Sequence, residues 1–146
     1  MVLLTLLLAA SISELGAIGA RGLDQVVTAY EGRVFTLQVS LHEPTNAAEA
    51  MQAPMLDRKG WRYHDTSRPA VLSAGTQVEV AAVYNYAERG LFLELARESE
   101  GFGKQPVDER PRIRVRIMVE ADAADASAQV AQAYSLIDKL LRPSIP

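Results

Sequence analysis

A chain of 146 residues, 49% hydrophobic and 23% charged, is one domain's worth of ordinary globular sequence. Its formal net charge of -3 is too small for bulk attraction to nucleic acid or to an anionic membrane. It contains no cysteine, which excludes disulfides, thiolate metal sites, a cysteine nucleophile and a lipid-bearing lipoprotein cysteine.

Val2 to Ala10, VLLTLLLAA, is a continuous apolar run, and the first charge is Glu14. The run has the length of the apolar region of a secretory signal peptide. Small residues follow at the spacing a signal peptidase reads, with Ser11 and Ser13 before Glu14, or Ala17 and Gly19 before Ala20. No Lys or Arg precedes the run, so the positive leading region of such a peptide is missing. A membrane-spanning helix needs about 20 apolar residues, so no transmembrane span is expected after processing. Residues 1–20 are read as a signal peptide, with a helix buried on the sheet and an uncleaved anchor as alternatives. The expected location is periplasmic or extracellular, or at the membrane if the leader stays uncleaved. Residues 21–146 are read as a single β-rich domain.

Leu23, Val26, Val27 and Tyr30 fall at helical spacing, and Gly32 stands where a helix ends in a left-handed residue. Val34 to Leu41 alternates as a half-buried strand, with Phe35, Leu37, Val39 and Leu41 inward. From His42 to Gly75 no period is sustained, an unusual length for a loop in one domain. A helical turn is expected at Ala47 to Met51, and short extended pieces at Trp61 to Tyr63 and Ala70 to Leu72. Trp61, the only tryptophan, is expected to pin this excursion onto the sheet.

Ala74 to Ala96 reads as a β-hairpin. Val78, Val80, Ala82 and Tyr84 alternate on one arm, Gly90 closes the turn after Ala87, Glu88 and Arg89, and Leu91, Leu93 and Leu95 form the other arm. That alternation puts Tyr84 and Tyr86 inward and Phe92 outward, under the C-terminal helix. A hydrophilic connection, Glu98 to Pro111, leads to a strand over Arg112 to Val119. Residues 121–142 read as the C-terminal helix, with Val130, Ala133, Ile137 and Leu140 or Leu141 inward and Pro143 as its stop. Four strands without a βαβ rhythm imply the α+β class. The expected architecture is a small curved antiparallel sheet, or an SH3-like or OB-like barrel, with the C-terminal helix packed on it.

Signatures of known chemistry fail one by one. His42-Glu43 begins like a zinc-binding HExxH helix, but Asn46 holds the last position and Pro44 breaks the helix. Gly101-Phe102-Gly103-Lys104 lacks the spacing and hydroxyl of a phosphate loop, and Val71 stands where a GxSxG elbow around Ser73 needs glycine. His42, His64 and Asp65 are the candidate metal set, for a small metal-dependent hydrolase; otherwise no cofactor is expected.

Arg110, Arg112, Arg114 and Arg116 recur at alternate positions and so project from one face of their strand. Arg112, Arg114 and Arg116, with Trp61, are the candidate ligand-binding residues. Asp108, Glu109 and Glu120 flank the stripe and no exposed aromatic is interleaved, so the nucleic-acid signal is weak. Glu79 and Glu94 are available as cross-strand partners, and a salt-bridged outer face is favoured over a stripe for polyanions.

AYEGRVFTLQVSL, then GTQVEVAAVYNYAERGLFLEL, then GFG, a strand and an Ala-rich helix together resemble small exported bacterial proteins of uncharacterised function. The likeness covers Tyr30 to Gly103 and implies export and a small β domain. It brings no catalytic residues. The expected function is a non-enzymatic exported interaction or structural module, its partner an unknown protein or envelope component. The alternatives are the metal-dependent hydrolase and a polyanion-binding barrel.

Overall fold

The hairpin expected between Ala74 and Ala96 is the middle of the sheet. A computed structural model describes residues 18–43, 53–85, 90–99, 105–120 and 125–144. The readings made for residues 1–17, 47–51, 86–89, 101–104 and 121–124 lie outside these.

Helix α1 (Ala20–Tyr30) buries Val26 and Tyr30 and packs Leu23 and Val27 against the core, as the helical spacing predicts. At Gly22 an added Cβ would stand 2.9 Å from Ile18 Cγ1 and 3.1 Å from Val130 Cγ2, so only hydrogen fits beside the C-terminal helix. Gly32 ends the helix at φ 80°, a left-handed turn that glycine makes without steric cost.

The single strand expected over Val34 to Leu41 is instead two, β1 (Val34–Leu37) and β2 (Leu41–His42). After Leu37 the backbone leaves the main sheet, because Gln38 N–H donates to the carbonyl of Leu140 at 2.8 Å. Leu41 then pairs with Leu72 of β5 (Ala70–Leu72) in a separate two-stranded sheet. The excursion also holds β3 (Met55–Asp57) and β4 (Gly60–Arg62), joined by a tight turn. There the buried Asp57 carboxylate accepts from Lys59 N–H at 2.8 Å, and Gly60 takes φ 123°. Trp61 lies on β4, half-buried against the core, as expected.

β6 (Gln77–Asn85), β7 (Leu91–Arg97) and β8 (Arg112–Ile117) form the antiparallel centre. Helix α2 (Ala126–Leu140) starts with the Asp125 carboxylate accepting from Ala128 N–H at 3.0 Å. It ends two residues sooner than expected. Leu141 turns extended and opens β9 (Leu141–Pro143), which pairs with β1. Pro143 therefore sits on an edge strand, where its missing N–H costs little.

Seven strands run in the order β4-β3-β8-β7-β6-β1-β9 among the described residues. The fold is α+β, with the sheet strongly curled into a half-barrel. β3 runs parallel to β8, Met55 opposite Arg116 and Leu56 opposite Ile117, so the sheet is mixed where an antiparallel one was expected. Three residues are too few for periodicity to reveal a strand, still less its direction. The inner face buries Val78, Val80, Leu91, Leu93, Leu95, Ile113, Val115 and Ile117 against Val130, Ala133, Ile137 and Leu140 of α2. Each fully buried Leu or Ile contributes about 1.5–3 kcal/mol at most relative to exposure.

One irregularity re-aims the hairpin. Val80 faces Leu95 and Ala82 faces Glu94, so Ala81 is an extra residue, a β-bulge. Beyond it the two faces exchange. Val83 is buried opposite Leu93, while Tyr84 stands opposite Phe92 on the outer face. The inward placement of Tyr84 is thereby corrected. Phe92 is outward as expected, but α2 packs on the inner face and does not cover it. Just past the bulge, Val83 N–H donates to Glu31 Oε2 at 3.0 Å.

Candidate functional site

The outer face of β6, β7 and β8 gathers the aromatics displaced by the bulge and the alternate arginines. Tyr84 and Phe92 stack nearly parallel, with centroids 5.7 Å apart at 11°. The Arg114 guanidinium carbon lies 5.6 Å from the Phe92 centroid, within range of a cation–π contact. The Tyr84 hydroxyl donates to Glu94 Oε1 at 3.4 Å.

The four arginines do not behave alike. Arg110 is buried, and its Nη1 donates to Glu79 Oε1 at 3.2 Å and to the Arg97 carbonyl at 3.0 Å. Glu79, one of the two carboxylates expected to be available to the arginines, is thus its partner, reached from β6 across β7 and not from a neighbouring strand. Glu94 is different. It stands directly opposite Arg114 in the β7–β8 register, yet the two form no ion pair. Arg112, opposite Ala96, also has no ion pair among the described residues. The salt-bridged face expected from the pattern is closed at Arg110 and open at Arg112 and Arg114. Arg116, opposite Phe92 and beside Met55, is half-buried.

A groove of about 340 Å³ opens beside these two arginines. Arg112, Arg114, Glu94 and Glu43 supply its charges, and Ala53, Pro54 and Ile113 its apolar lining. Ala53 holds φ 62°, the left-handed region that alanine seldom occupies, immediately before a proline. Trp61 does not line this groove.

The histidines do converge, but on each other. The His42 and His64 rings lie 5.1 Å apart, and His64 lies 4.8 Å from Trp61. His64 Nε2 accepts the N–H of His42 at 2.9 Å, and His42 Nδ1 donates to the Arg68 carbonyl at 2.6 Å. Burial, and then the neighbouring His42, push the His64 pKa below 6.5, against the opposing pull of Asp65 and of a backbone hydrogen bond to Ser40. Asp65 Oδ1 accepts from the N–H and the hydroxyl of Ser67. Among the described residues no three of His, Cys, Asp or Glu are placed to hold a metal ion. His64 Nε2 is occupied by the backbone N–H of His42.

The sequence reading missed Glu43, the Ala53–Pro54 wall and the pairing of Tyr84 with Phe92. Parity alone misplaced Tyr84, and the bulge that moves it leaves no mark in the run VEVAAVYN beyond two adjacent alanines. Comparison with protein-family models, with curated proteins and with solved structures finds no match for this chain.

Proposed function

We propose that this chain is a non-enzymatic binding module that takes the anionic group of a ligand in the groove on its outer sheet face. The observation that carries the reading is the difference between neighbouring arginines. Arg110 Nη1 is held by Glu79 and a carbonyl, whereas Arg112 and Arg114, two residues apart on one face, open on the groove without an ion pair among the described residues. Guanidinium groups spaced about 7 Å apart along a strand suit a carboxylate or phosphate held between planar donors. Glu43 and Glu94 in the same groove disfavour a long polyanion, as does the net charge of -3.

Under the same proposal the module is exported to the envelope, a reading supported by the apolar run Val2 to Ala10 and the small residues after it. Among the described residues no helix is long and apolar enough to cross a membrane. An SH3-like or OB-like reading of the curled sheet belongs to this proposal too, since curved sheets of that kind commonly bind ligands on an exposed face.

The test is a titration of isotope-labelled protein with acetate and, separately, inorganic phosphate, followed by amide chemical shifts. Saturable shifts at Arg112 to Arg114, lost in the Arg112→Gln/Arg114→Gln variant, are expected. Shifts that are absent, or unchanged in that variant, would overturn the reading.

A further inference from the structure

The proposed anion site carries opposite charge within the same groove, and the disposition of that charge narrows the ligand. Directly facing residues on paired strands have Cβ atoms about 4.5–5.5 Å apart, close enough for Glu and Arg to close into an ion pair. Glu94 and Arg114 face each other in this way and remain open. The reason lies on either side of them. Phe92 draws the Arg114 guanidinium over its ring, and the Tyr84 hydroxyl holds the Glu94 carboxylate. The 5.7 Å stack of Tyr84 on Phe92 ties these two anchors together. Glu43 and Arg112 add a second carboxylate and a second guanidinium to the same lining.

From this arrangement we infer that the ligand is a small zwitterion, an unblocked amino acid or short peptide. Its carboxylate meets Arg112 and Arg114, and its ammonium meets Glu94 and Glu43. The inference rests on the anion-binding reading and adds to it a positive group on the ligand. A purely anionic ligand would bring its charge up against two carboxylates. A zwitterion meets a partner at each pole and replaces the ion pair that the protein leaves open. The groove, about 340 Å³, is at the small end of ligand sites, a size for one or two residues with Ala53, Pro54 and Ile113 against the aliphatic part.

Calorimetric titration of the chain with alanyl-alanine, its N-acetyl form, its C-terminal amide, free alanine and acetate tests this. Binding of the unblocked dipeptide is expected, weakened about tenfold or more by either block, as for loss of a charge-assisted hydrogen bond. Glu94→Gln should weaken the unblocked dipeptide and abolish the effect of N-acetylation. Arg114→Gln should do the same for C-terminal amidation. Matching melting curves for the variants would show that the fold is kept. Free alanine binding as tightly as the dipeptide supports an amino acid as the ligand, and weaker binding supports a peptide end. If the N-acetyl form binds as well as the unblocked one while acetate still shifts Arg112 to Arg114, the zwitterion is overturned and the anion site stands. If neither acetate nor any dipeptide binds, both fall together.

Discussion

The backbone N–H of His42 donates to Nε2 of His64 at 2.9 Å, which ties β2 to the loop that follows β4. This bond exists only while Nε2 is unprotonated. A proton there would set two N–H groups against each other, beside the ring of His42. In the folded protein burial lowers the His64 pKa below its usual 6.5, so the unfolded chain takes up the proton first. The stabilisation is therefore complete above pH 6.5 and declines as pH falls through 6.5 toward the lower folded value. A melting temperature followed from pH 8 to pH 5 should drop more steeply than in His64→Gln, whose side-chain oxygen accepts the same bond without titrating. Equal slopes in the two proteins would disprove this role for His64.

Arg110 and Glu79 form an ion pair in which the Arg110 side chain is only 2% exposed. Removing one partner of such a pair strands the other charge in a poorly solvated place. Arg110→Ala or Glu79→Ala should each cost about 3–5 kcal/mol in urea unfolding. Arg110→Met with Glu79→Leu together should cost clearly less than the sum of the single changes, because no charge is then left behind. Additive losses would show that the pair is not coupled.

Ile18 and Gly19 are tied to the fold. Asn85 accepts from Ile18 N–H at 3.3 Å and donates to its carbonyl at 2.7 Å, while Gly19 N–H donates to Gln129 Oε1 at 3.0 Å. Ile18 itself is 3% exposed. Of the two small-residue motifs, cleavage after Ser13 keeps these contacts and cleavage after Gly19 removes them. A chain beginning at Ala20 should be less stable than one beginning at Glu14 by about 2–4 kcal/mol, from one buried side chain and its hydrogen bonds. Under the proposed export, sequencing the processed product should find Glu14 first. Equal stability of the two chains, or a mature end at Ala20, would contradict this.

Much of the fold was legible before any coordinates. The α+β class, the central hairpin, both helices and the inward rows Leu91-Leu93-Leu95 and Ile113-Val115-Ile117 follow from periodicity, because burial against a single core imposes one period on a whole element. The alternate arginines were equally plain, with Glu79 and Glu94 both open as their partners. Short elements were not legible. β3 and β9 have three residues each, and their existence depends on which neighbour offers an edge. Leu141 shows the competition, since its local pattern continues a helix while pairing with Leu37 draws it into the sheet.

The candidate site divides in the same way. Sequence alone determined that guanidinium groups line one face of β8, because alternation in a strand is a local property of the backbone. Only the tertiary structure decided which of them meets a carboxylate. Arg110 reaches Glu79, 31 residues away, whereas Arg114 faces Glu94 without closing on it, because the bulge at Ala81 brings Tyr84 onto Phe92 and those two rings hold the charges apart. One inserted residue exchanges the two faces of everything beyond it, and its presence is set by how strands pair across the sheet, a relation that residue order by itself does not contain.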